Sequence, residues 1–181
     1  MMRYTVVALL LTALAVPGAA QAAEPSSLGC VGLTIGRGAM LTLGENALAR
    51  NDRRAAAPVD RELDMLAQAT DACRRRHGWS ERAATAAGMW TLTSARLDAV
   101  AQALERDGVS PMRAGEVVGR LGPADVRGLL DDPISPSALN ALRGHVVAAG
   151  LPTEGIAAHH LVWFTRMLLI EGRERANFAA H

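Results

Sequence analysis

Histidine, cysteine and clustered charge are the residue types in this chain that could do chemistry, and their spacing decides which chemistry is open to them. His77, His145 and the pair His159-His160 are the imidazoles that could gather at one place. A helix presents two metal ligands together only when both rings lie on one face, whereas adjacent residues point about 100° apart. The pair therefore matches no ligand motif. If the chain holds a metal or haem, His160, His145 and His77 are its candidate ligands. Otherwise His160, on an apolar stripe beside Trp163, and His159, facing Arg166, are core or boundary residues, with a pH-sensitive contact as the remaining role.

The other constellations have plain structural uses. Gly36-Arg37-Gly38 begins like a phosphate-binding loop, but Leu41 stands where the third glycine belongs and no strand precedes it. Arg74-Arg75-Arg76 with Gly78 just beyond reads as a helix end, where positive charge offsets the free carbonyls, rather than as an anion site. Asp125, Asp131 and Asp132 surround a Pro-rich turn without the glycine and spaced oxygens of a calcium loop. Met65, Met89, Met112 and Met167 sit at helical positions and read as core filler, not as a copper site. Serine, histidine and acid residues occur without the context of an activated nucleophile, so no catalytic residue is assigned and catalysis is not expected.

These side chains must be positioned by helices. Spacings of three and four recur from about residue 60 to the end, and strict alternation is almost absent. The acids after Pro58 open a helix whose face runs Leu63, Leu66, Thr70, Cys73 and His77. Ser80 caps the next helix, which runs to about Arg106 with the stripe Ala86, Trp90, Thr93, Leu97, Val100 and Leu104. The Gly78-Trp79 link folds these two into a hairpin. Pro111, Pro123 and Pro136 predict short helices near 111–121, 124–131 and 136–149. Thr153 caps a final helix from about Glu154 to Ala176. That helix carries Ile156, His160, Trp163, Met167 and Ile170 beside Leu161, Phe164 and Leu168. Trp163 is expected near Trp90 or Leu97, in the core. Were the helix exposed instead, Trp163, Phe164 and Met167 would form its interface. A helix over about Leu33 to Arg50 is expected despite its glycines, with Gly32 and Gly36 available for close helix contact. The fold class is all-α, a compact bundle of about five to seven helices with a long central hairpin and a terminal apolar helix. Residues 23–57 form a Gly/Ala-rich opening segment packed with a helical domain over 58–181.

The front of the chain is an address. Met1–Thr5 carries one positive charge, Val6–Val16 is an almost unbroken apolar run, and Pro17-Gly18 precedes Ala20-Gln21-Ala22. This is the three-part pattern of a cleavable secretory leader over residues 1–22, with the cut between Ala22 and Ala23. These eleven residues rise only about 17 Å as a helix, too little to span a bilayer. No transmembrane span is expected in the mature chain. Ser27-Leu28-Gly29-Cys30 departs from the box of a lipidated cysteine, because Leu is one position late and Glu24 and Pro25 interrupt the apolar lead.

Export to the periplasm or the medium places Cys30 and Cys73 in an oxidising compartment, and they are the only two cysteines. Their pairing closes a loop of about 43 residues, a contribution of roughly 4 kcal/mol in the chain-entropy picture. The 19 basic and 18 acidic residues give a net charge of +1, which does not suit a nucleic-acid binder. All the basic residues are Arg, and with the abundant Ala and Gly this composition suggests a GC-rich bacterial genome. No cofactor is expected. The composition leaves contact with another periplasmic or envelope protein, or with a second copy, as the expected mode of action.

Overall fold

In a computed structural model, residues 23–181 are described; the leader expected over residues 1–22 lies outside them. A short 3-10 turn, Pro25–Ser27, leads into seven α-helices: α1 Cys30–Asn51, α2 Asp60–His77, α3 Glu81–Arg106, α4 Pro111–Val118, α5 Pro123–Leu130, α6 Pro136–Ala148 and α7 Gly155–Ala179. Among the described residues there is no strand, and no helix is long and apolar enough to cross a membrane.

Local signals set most of the boundaries. The Ser80 hydroxyl accepts the Ala83 N–H at 3.1 Å and starts α3. Pro111, Pro123 and Pro136 each occupy the first turn of α4, α5 and α6, where a missing N–H costs nothing. α2 ends on Gly78 in the left-handed region, with Arg74, Arg75, Arg76 and His77 in its last turn. Other boundaries differ from expectation: α1 begins at Cys30 rather than near Leu33, α4 ends at Val118 rather than near residue 121, and α7 differs at both ends. Glu154, not Thr153, precedes α7 and makes no side-chain cap. α7 also continues past Ala176 to Ala179, because Phe178 is anchored in the core and leaves no part of its side chain to solvent.

The opening segment corrects the expectation for its glycines. Gly36 does not sit in a continuous helix: at φ 78° and ψ 164° it kinks α1 in a conformation natural only to glycine. The close approach falls at Gly44 instead. A β-carbon there would collide with the Ala95 carbonyl oxygen and crowd the Ala99 methyl at 3.1 Å, so α1 and α3 meet backbone to backbone. At Gly32 a β-carbon would only touch Thr91, at 3.7 Å.

α3 is the axis of the molecule. α7 lies antiparallel along its length, pairing Trp79 with Phe178 at one end, Trp90 with Glu171 in the middle and Asp107 with His160 at the other. One apolar cluster joins the opening segment, α1, α2, the first half of α3 and Phe178. A second joins the rest of α3 to α4, α5, α6 and the first half of α7. Leu48, Ala99 and Ala103 form a third, smaller cluster, and Trp163 packs on it and on the second. The indole of Trp163 thus rests on small side chains of α3 and on α1, rather than beside Trp90, whose own N–H is directed to Glu171 at 2.5 Å. Thr70 of α2 faces Gly88 of α3, equidistant from the turn at Trp79, as an antiparallel hairpin requires. The sulfurs of Cys30 and Cys73 lie at disulfide distance, with Cα atoms 6.1 Å apart, tying α1 to α2.

Candidate functional site: an Asp–His–Asp clamp

α1 and α3 run out at the same end of the bundle, and each finishes on an aspartate. Asp52 follows α1, its N–H bonded to the Leu48 carbonyl at 2.9 Å, and Asp107 follows α3, its N–H bonded to Ala103 at 3.0 Å. α7 places His160 between them. Nδ1 of the ring is 2.7 Å from Oδ2 of Asp107, and Nε2 is 3.1 Å from Oδ1 of Asp52. The side chains of His160 and Asp52 are only 6% and 9% exposed, and that of Asp107 is 21% exposed.

Ionised carboxylates only accept hydrogen bonds, so the ring can bond to both at once only when it donates from both nitrogens, as the protonated imidazole does. The carbonyl ends of α1 and α3 both carry the negative pole of a helix, and a cation there is stabilised. The same device recurs nearby: Arg113 donates to the Ala149 carbonyl after α6 at 2.6 Å, and Arg166 to the Asp131 carbonyl after α5 at 3.2 Å.

Asp52 is further held by Arg54, whose Nη2 lies 3.0 Å from Oδ2. Burial alone would push the Asp52 carboxyl up, but hydrogen bonds and charge from His160 and Arg54 outweigh it and hold the group below the ordinary carboxylate value. Beside the clamp, the Asn51 amide reaches Nε2 of His159 at 2.7 Å. A cavity of about 400 Å³ opens next to it between α1 and α3, with Asn46, Arg54, Gln102 and Arg106 in its lining.

The clamp leaves little for reactive chemistry. Both ring nitrogens of His160 lie against carboxylates, so neither faces an open position where a metal or substrate could sit. His145 is half-buried on α6, and His77 stacks on Trp79 with centroids 5.4 Å apart at the end of α2. The three histidines are not brought together. Among the described residues no three His, Cys, Asp or Glu side chains form a metal-ligand group. The face of α7 considered as an interface is turned inward: Phe164 and Met167 are 5% and 6% exposed, and Trp163 is half-buried.

The two aspartates escaped the sequence reading. Asp107 stands before Gly108 just past α3, and Asp52 lies among charged residues just past α1. Their signal was positional, an acid at each of two helix ends, and nothing local says that one histidine serves both. Compared with models of known protein families the chain matches none, and neither a curated protein nor a solved structure is significantly similar to it.

Proposed function

We propose that this is an exported helical protein that works by contact, with another envelope protein or with a second copy of itself, and catalyses no reaction. The secretory pattern of residues 1–22 and the paired sulfurs of Cys30 and Cys73 support an oxidising destination. The observation that carries the reading is the condition of His160. The side chain best equipped for chemistry is buried with both nitrogens engaged, joining three helices instead of facing a substrate. Some apolar side chains do face outward. Leu63 and Met89, 41% and 40% exposed, line a groove of about 510 Å³ between α2 and α3, together with Leu66, Ala67 and Leu92.

The test is a photo-crosslinking residue placed at Met89 in the chain expressed in its own host, with the same residue at exposed Arg120 as control. An adduct to one envelope protein, or to the chain itself, is expected at 89 and not at 120. The protein recovered should begin at Ala23. The reading is overturned if no adduct forms at 89, if the chain stays in the cytoplasm with its leader intact, or if the purified protein carries stoichiometric metal or haem.

A further inference from the structure

We propose that Asp52, His160 and Asp107 form a pH-operated latch, closed while the imidazole carries both ring protons and open at the Asp52 arm when it carries one. The groups in contact with the ring or its partners are Asp52 and Asn51 from the end of α1, Arg54 from the link after it, Asp107 from the end of α3, and His159 on α7 itself. A neutral ring has one N–H and can satisfy only one carboxylate. The nitrogen left bare then meets a carboxylate oxygen, two acceptors facing each other in a buried place.

The arms are unequal, which decides where the latch gives. Asp107 makes the shorter contact, 2.7 Å against 3.1 Å. It is also fixed from behind, because Val109 is buried and its N–H reaches the Leu104 carbonyl at 2.8 Å. Asp52 has a second partner in Arg54 that it keeps without the ring. The link beyond it, with Arg53, Arg54, Ala55, Ala57 and Pro58 exposed, has little apolar anchorage. Arg53 moreover holds φ 56°, a left-handed conformation that a side chain disfavours. The neutral ring therefore keeps its Nδ1–H on Asp107 and turns bare Nε2 toward Asp52.

Release has a defined reach. The far end of the link is held by the Asn46 amide donating to the Ala57 carbonyl. Arg54 and Ala55, between the two ties, and Ala57 at the second wall the cavity of about 400 Å³. Opening the Asp52 arm loosens that wall and leaves α3 and α7 joined through Asp107. The latch shares the geometry of His160 with the contact reading but needs no partner, so a missing adduct at Met89 leaves it standing.

The experiment is amide hydrogen exchange at about pH 5.5 and about pH 8.5, either side of the ordinary imidazole range, with rates corrected for intrinsic base catalysis. The probes are the Arg53 and Arg54 amides, which bond to the Arg50 and Ala49 carbonyls. Loss of a hydrogen bond to a charged group predicts about a tenfold fall in their protection at the higher pH, with the Phe164 and Met167 amides unchanged. Asp52→Asn abolishes the fall, because the new side-chain amide donates to bare Nε2. Nitrogen-15 imidazole shifts of the wild-type protein provide a readout that needs no variant: at the higher pH the proton of His160 is expected on Nδ1. The proposal is overturned by equal protection at the two pH values, by an equal fall in Asp52→Asn, by loss of protection along α7, or by a proton retained on Nε2.

Discussion

The ring of Phe178 meets the indole of Trp79 edge-on, with centroids 5.0 Å apart and planes at 88°. The same indole donates its N–H to the Ser27 hydroxyl at 3.0 Å, so one side chain in the α2–α3 turn fastens both the opening segment and the last turn of α7. Truncating a buried aromatic to Ala typically costs about 3–5 kcal/mol. Phe178→Ala is expected to lose stability in that range, read as a lower urea midpoint. A midpoint within experimental error of wild type would mean that the last turn contributes nothing to the core.

Two glycine substitutions should change stability in opposite directions. Gly44→Ala drives a methyl into the Ala95 carbonyl and forces α1 away from α3, an overpacking cost of about 1–3 kcal/mol. Gly172 sits exposed inside α7 with open space where its β-carbon would be. Gly172→Ala should therefore gain about 0.5–1 kcal/mol from backbone entropy and helix propensity. Thermal melts of the two variants beside wild type check both signs.

Cys73→Ser should destabilise the chain by about 2–5 kcal/mol by releasing the link between α1 and α2. Intact mass before and after reduction should differ by about 2 Da, the two hydrogens a disulfide lacks. Maleimide labelling of the unreduced protein would falsify the pairing.

Acid should weaken the clamp through Asp52. Its folded-state carboxyl is held below the ordinary value, so its contribution is complete above the unfolded value and disappears as pH falls through the folded one. The difference in melting temperature between wild type and Asp52→Asn should accordingly be larger near pH 6 than near pH 3. A constant or growing difference on acidification would show that the ion pairs of Asp52 do not stabilise the fold.

The helices were legible in the sequence because their signals are local. Pro111, Pro123, Pro136, Ser80 and Gly78 mark boundaries through their own backbone chemistry, whatever packs nearby. The stripe Ala86 to Leu104 identified one inward face of α3 from period alone, while the small residues Ala87, Thr91, Ala95, Ala99 and Ala103 are buried outside it; the Cys30–Cys73 pairing followed from there being no other cysteine. Of the clamp, only His160 stood out, as an imidazole on an apolar face. Its partners, the seat of Trp163, the contact at Gly44 and the burial of Phe178 were settled by tertiary structure. Each depends on how far one helix is slid and rotated against another. That register comes from the fit of the whole α1–α3–α7 interface, where a shift of one residue turns a side chain about 100° around its helix. Periodicity fixes which face of α7 turns inward, but only the assembled helices bring Asp52 and Asp107, far apart in the chain, to the two nitrogens of one ring.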